Sequence, residues 1–162
     1  MNETASHGKA GPDTAGVAAP PPLFFVAGLG AGMLADRFMP APRLPRAVGR
    51  SGGLPLLAAG VLLIGWAVRT MHQAGTPAPP YRPTVTIVIE GPFRFTRNPI
   101  YLGMTLCHIG MTLLSNRLWS LALLPGVLAA LHRGVIAREE TYLELRFGEP
   151  YRRYRQGVPR WL

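Results

Sequence analysis

Two polar stretches in this chain carry residue types that could bind and orient a charged ligand. The first, "GPFRFTRNPIYLG" at residues 91–103, sets Arg94, Arg97 and Asn98 directly before a long apolar run. Asn98 is suited to cap a helix, and Pro99 to open it, where a missing N–H costs nothing. The free N–H groups and partial positive charge of such a helix start can hold a carboxylate or a phosphate, and the arginines add to that field. Capping and helix anchoring would use the same residues without a ligand. The second stretch, "REETYLELRFGEPYRRYRQGVPR" at residues 138–160, opens on Arg138, Glu139 and Glu140. Helical spacing puts His132 and Arg133 within reach of the glutamate pair. The plainer reading of these charges is solvation at a membrane boundary.

Other polar residues point less sharply. His108 and His132 lie in apolar surroundings, where a polar group is costly. A hydrogen bond between helices suits them better than metal ligation, because no spacing resembles a ligand set. Cys107 is the single cysteine, so no internal disulfide forms, and it reads as a small buried apolar residue. "GLGAG" at residues 28–32 has no strand before it, which removes a dinucleotide-binding reading. Gly28 and Gly32 fit a helix-packing face instead.

The elements that must position these residues are helical. The chain has 162 residues, 48% of them hydrophobic, with mean hydropathy +0.18 despite 17 prolines and 19 glycines. The apolar residues cluster into four segments, at about 22–39, 54–71, 100–115 and 118–137. A span needs about 17–25 residues. The expected fold is all-α: a polytopic membrane protein with about four transmembrane helices, a helical hairpin and a cytosolic C-terminal extension. Residues 1–21 read as a disordered tail and 22–162 as a single membrane domain. Asp36 and Arg37 interrupt the first segment, Pro125 and Gly126 predict a kink or a local break in the fourth, and Gly148 predicts a helix stop. "TVTIVI" at residues 84–89 reads as a short extended piece.

The formal charge is +9. The arginines flank apolar runs rather than forming one hydrophilic face, which argues for a bilayer and against nucleic acid. With both termini cytosolic, twelve basic residues lie inside against five outside (Arg37, Arg43, Arg46, Arg50, Arg117), as the positive-inside bias requires. The four arginines after the first segment run against that bias. Size and the Arg-, Ala- and Pro-rich composition suggest a bacterial inner membrane.

Together the two motifs, about 35 residues apart with a hairpin between them, resemble the isoprenylcysteine carboxyl methyltransferase family and its relatives, the phospholipid N-methyltransferases. The resemblance covers roughly residues 84–160. It implies a small helical membrane enzyme that binds S-adenosyl-L-methionine at the cytosolic side without a Rossmann domain. By resemblance, Arg97, Asn98, Pro99, Ile100 and Tyr101 line the cofactor pocket, with Val88 and Phe93 on its other wall. Glu139 matches the cofactor-contacting glutamate. Arg133 and Arg138 are candidates to hold an acceptor carboxylate, and Glu140 or Tyr101 to assist an amine acceptor. Tyr151 and Tyr154 would lie in a tail covering the site. Asn98 stands where the family often has histidine, so it cannot act as a base. The implied acceptor is a lipid or other lipophilic carboxylate, thiol or amine. Alternatives are an NADPH-dependent membrane reductase with a related helical core, and a non-catalytic module whose arginines contact anionic lipid.

Overall fold

The computed structural model describes residues 14–162. Its helices are α1 (Pro21–Phe38), α2 (Arg46–Gln73), α3 (Pro99–Ser115), α4 (Trp119–Leu131), α5 (Ala137–Phe147) and α6 (Glu149–Gly157). A wide π turn, His132–Ile136, joins α4 to α5, so that one continuous helix runs from Trp119 to Phe147. There is no strand among the described residues, and "TVTIVI" is irregular rather than paired. Residues 1–13 of the expected tail lie outside the described residues. Residues 14–20 run against the π turn, with the Ala18 amide donating to the Gly134 carbonyl at 2.9 Å.

Two helices, Arg46–Gln73 and Trp119–Phe147, are long and apolar enough to cross a membrane. Only 17% of the apolar stretch of α2 is buried inside the protein. The central helix of a soluble fold would be mostly buried, so the outward face of α2, with Val61 and Leu62, needs an apolar surrounding. The shorter α3 is also apolar.

Helix α2 runs antiparallel along α3, and α1 along α4. Small residues make the first contact possible. A side-chain carbon added at Gly60 would lie 2.5 Å from the Gly103 carbonyl oxygen, and one added at Gly110 would lie 2.8 Å from that of Gly53. The two backbones therefore touch, which only glycine permits at these positions. Between α1 and α4, carbon added at Gly28 would overlap Val127, and carbon added at Gly32 would overlap Ser120. These are the two glycines whose spacing marks a packing face in the sequence.

Polar side chains lock the frame. His108 is fully buried, with Nε2 3.0 Å from the Ser120 carbonyl oxygen. A carbonyl can only accept, so Nε2 carries the proton. Asp36, which interrupts the first apolar segment, has a fully buried side chain paired with Arg43 at 2.8 Å and with Arg117. Asn116 sits in the left-handed region (φ 56°) and closes α3. Its side chain accepts from the Leu44 amide at 2.9 Å and donates to the Leu44 carbonyl at 2.8 Å. Gly148 (φ 59°) ends α5 where the sequence predicts a stop. The helix is not interrupted at Pro125, where α1 packs against Leu124 and Val127, and the irregular turn comes at His132–Ile136.

Replacing Gly60 by valine should destabilise the protein by about 1–3 kcal/mol through overpacking. Gly65, with open space around it, should tolerate alanine and gain slightly in helix propensity. Thermal melting in detergent compares the two, and equal melting temperatures would refute the tight α2–α3 contact.

Candidate functional site

The start of α3 is built by long-range contacts rather than by local capping. The Asn98 side chain makes no cap to its own helix. Its Nδ2 donates instead to the Arg160 carbonyl at 3.0 Å. The Thr96 hydroxyl donates to the same carbonyl at 2.9 Å and accepts from the Asn98 amide at 3.2 Å. The Arg97 amide donates to the Pro159 carbonyl at 2.9 Å. The segment after α6 is thus strapped across the turn, and Trp161 packs against the buried apolar cluster. Pro99 brings no N–H, so the free amides of this helix end belong to the residues that follow it.

The continuous helix delivers two carboxylates to this turn. Tyr101 donates its hydroxyl to Glu139 Oε1 at 2.7 Å, and Glu139 has no ion pair among the described residues. Glu140 sits between two guanidinium groups. Arg160 holds it through both oxygens, at 2.9 and 2.7 Å. Arg97 Nη1 lies 2.9 Å from Glu140 Oε1, out of line for a hydrogen bond. The Arg97 side chain is 10% exposed, and its Nε has no hydrogen-bond partner. One carboxylate thus serves two guanidiniums, and partial burial strengthens the attraction between them.

The tyrosines of α6 stay neutral. Burial pushes the Tyr151 hydroxyl above its ordinary pKa, and the Glu140 charge adds to this while Arg97 opposes it. Burial does the same for Tyr154, which donates to the Phe93 carbonyl at 2.8 Å. The Glu140 hydrogen bonds raise Arg160 further above the usual arginine range. Tyr151 and Tyr154 therefore face the site as neutral hydroxyls.

These groups surround a cavity of about 900 Å³, counting its open mouth. Val88, Phe93, Arg97, Asn98, Pro99, Ile100, Tyr101, Glu139 and Glu140 all line it. So do Tyr151 and Tyr154. Arg133 and Arg138 do not: both are exposed, and Arg138 donates to the Gly16 carbonyl at 2.7 Å. Arg133 lies within the π turn, which shifts the helical phase on which its placement beside the glutamates relied. The sequence reading assigned no role to Arg160 or to the lining Thr76 and Thr84. Arg160 belongs to the second motif, and its position in "GVPR" after a helix end was the available signal.

Residues 48–150 match the family model for phospholipid methyltransferase, well over half of the chain. The chain belongs to the phospholipid methyltransferase family. It is also similar to an uncharacterized protein of Haemophilus influenzae, 47% identical over 64 residues, which cover 39% of this chain and all of that protein. No solved structure matches it. Membership in the phospholipid methyltransferase family indicates a membrane methyltransferase, in accord with the two long apolar helices. The family generally uses S-adenosylmethionine, and the residues present suit that group. A zwitterionic amino acid end needs both signs of charge, and the cavity offers a buried cation, Arg97, with an unpartnered Nε, and a carboxylate, Glu139, that has no ion pair among the described residues. The matched region stops at residue 150, before the strap that Arg160 secures.

Arg160→Ala should loosen that strap while leaving the bundle intact. The exposed side of this pair discounts its worth to about 1–2 kcal/mol. Hydrogen exchange should rise at residues 158–162 and at the Thr96–Asn98 turn. Unchanged protection at both would show that the ion pair does not hold the strap.

Proposed function

We propose that this phospholipid methyltransferase family member transfers a methyl group from S-adenosyl-L-methionine to a lipophilic acceptor that reaches the cavity from the bilayer. The acceptor is an isoprenoid-like or other lipophilic carboxylate, thiol or amine, as in the isoprenylcysteine carboxyl methyltransferase relatives. We propose four spans, α1 to α4 with α5 extending beyond the bilayer, and the cavity on the cytosolic side. The observation that carries the reading is the convergence of the Arg97–Tyr101 turn with Glu139 and Glu140 around one cavity.

When bound, S-adenosyl-L-methionine supplies an electrophilic methyl on a sulfonium. The chain's own residues hold and orient. Arg97 suits the carboxylate of the amino acid end, and Glu139 suits its ammonium or the ribose hydroxyls. Glu140 works at one remove, keeping Arg97 and Arg160 in place. Phe93, Tyr151 and Tyr154 exclude water, which matters because attraction between an anionic acceptor and a sulfonium is weakened by solvent. A carboxylate or thiolate acceptor needs no base, so catalysis is mainly positioning. An amine acceptor must lose a proton, and the Tyr101–Glu139 pair at 2.7 Å is the group placed to take it.

Calorimetry with S-adenosylhomocysteine on the detergent-purified protein tests this. Wild type should bind in the micromolar range. Glu139→Gln and the Asn98→Ala/Tyr101→Ala double variant should each weaken binding by about tenfold or more, the order expected for loss of a charged hydrogen bond. A well-folded wild type that binds neither S-adenosylhomocysteine nor S-adenosylmethionine would overturn the proposal.

A further inference from the structure

A second cavity lies at the opposite end of the α2–α3 pair. It is about 920 Å³, counting its mouth, and is lined by Arg43, Arg46 and Arg50 together with Leu113, Leu114 and Asn116. Among the described residues no acidic side chain lines it. Asp36 pairs with Arg43 nearby, but that carboxylate is shared with Arg117. Arg46 and Arg50 make no ion pair among the described residues, and both are exposed. The walls are built rather than loose. Asn116 clamps the Leu44 backbone through two hydrogen bonds, and Arg43 donates to the Asn116 carbonyl at 2.9 Å. Gly49 lets α2 approach so closely that an added carbon would sit 2.7 Å from the Leu113 carbonyl oxygen.

The charge arrangement is unfavourable as it stands. Arg46 and Arg50 are one turn apart, where like charges repel. They occupy the first turns of a 28-residue helix with no acidic residue there and no side-chain cap, so they also oppose its positive end. The sequence carries these same arginines on the side where the positive-inside bias disfavours them. An anion seated between them would relieve all three.

The position of the cavity identifies the kind of anion. At about 1.5 Å per residue, α2 is about 42 Å long, close to the roughly 40–45 Å of a bilayer with its headgroups. Its first turns, outside the apolar run that begins near Leu54, then stand at headgroup depth. Leu113 and Leu114 offer apolar surface beside the arginines, and Val48 and Leu54 are more than half exposed. We infer that Arg43, Arg46 and Arg50 form a binding site for the phosphate of an anionic glycerophospholipid in the leaflet opposite the methyl-transfer cavity, with acyl chains lying along α2 and α3. The site is independent of the methyltransferase reading.

The test is native mass spectrometry of the full chain released from mixed micelles of equimolar dioleoylphosphatidylglycerol and dioleoylphosphatidylcholine. Wild type should retain the anionic lipid in preference. Arg46→Gln/Arg50→Gln should reduce that preference by about tenfold, with helicity by circular dichroism unchanged. The single variant Arg50→Gln should fall between them. A charge-matched control, Arg37→Gln/Arg69→Gln, removes two exposed arginines outside the cavity and should behave as wild type. No preference in wild type, or an equal loss in the control, would overturn the site. Displacement of the lipid by millimolar inorganic phosphate would show a soluble anion site and overturn the lipid assignment.

Discussion

The close approach of α2 to α3 is the constraint on which the rest depends. Backbone meets backbone at Gly60–Gly103 and at Gly53–Gly110. In a bilayer no hydrophobic driving force brings helices together, because lipid tails are as apolar as leucine; close van der Waals packing must do so. Once α2 and α3 are fixed antiparallel, both ends of the pair are fixed too. One end carries the Asn98–Tyr101 turn and the other carries Asn116 with its clamp on Leu44. Neither the cavity at the start of α3 nor the arginine cavity could keep its shape if this contact slid by one turn.

The second dependence is Glu140. Its two oxygens join a side chain of the α3 entrance, Arg97, to a side chain of the terminal segment, Arg160. Such a buried carboxylate between two guanidiniums is weak as a source of stability, since desolvation consumes much of the Coulombic gain. Its value lies in geometry. It sets the guanidinium of Arg97 against the cavity and draws the strap over the turn, leaving Glu139 as the carboxylate with an open side. The two adjacent glutamates therefore differ in kind: one is tied into the frame, the other faces the cavity with a single hydroxyl partner.

Much of this was legible in the sequence where the information is local. The helix start at Pro99, the stop at Gly148, the Gly28–Gly32 face and the residues of the two motifs follow from cap, turn and spacing chemistry over a few positions. What was hidden depended on partners far along the chain. Asn98 has a strong local preference to cap, yet the Arg160 carbonyl, 62 residues away, takes its side chain. Arg133 looked close to the glutamates on a regular helix, and the π turn moved its phase, which no 3.6-residue period can report. The glycines of α2 and α3 recur at sevens, 53 and 60 facing 103 and 110, but inside apolar runs they carry no polar signal to mark them.

The charge distribution draws these threads together. The +9 total is not spread evenly over the two polar ends of the bundle. At the cavity end, Glu140, Glu144 and Glu149 take arginines into ion pairs, Arg97 and Arg160 on Glu140, Arg152 and Arg155 on Glu144, and Arg152 and Arg153 on Glu149. At the other end Asp36 is the one carboxylate in an ion pair among the described residues, buried and divided between Arg43 and Arg117, while Arg46 and Arg50 stand without one. Arginine at an interface is tolerated wherever it can reach water or phosphate, so exposure alone would not single these two out. Their position at the start of an uncapped helix does, because the positive field of the helix end belongs to the backbone and adds to their own charge. A helix start left so positive, at headgroup depth and beside bare leucines, is complementary to a phosphate that carries its own hydrocarbon.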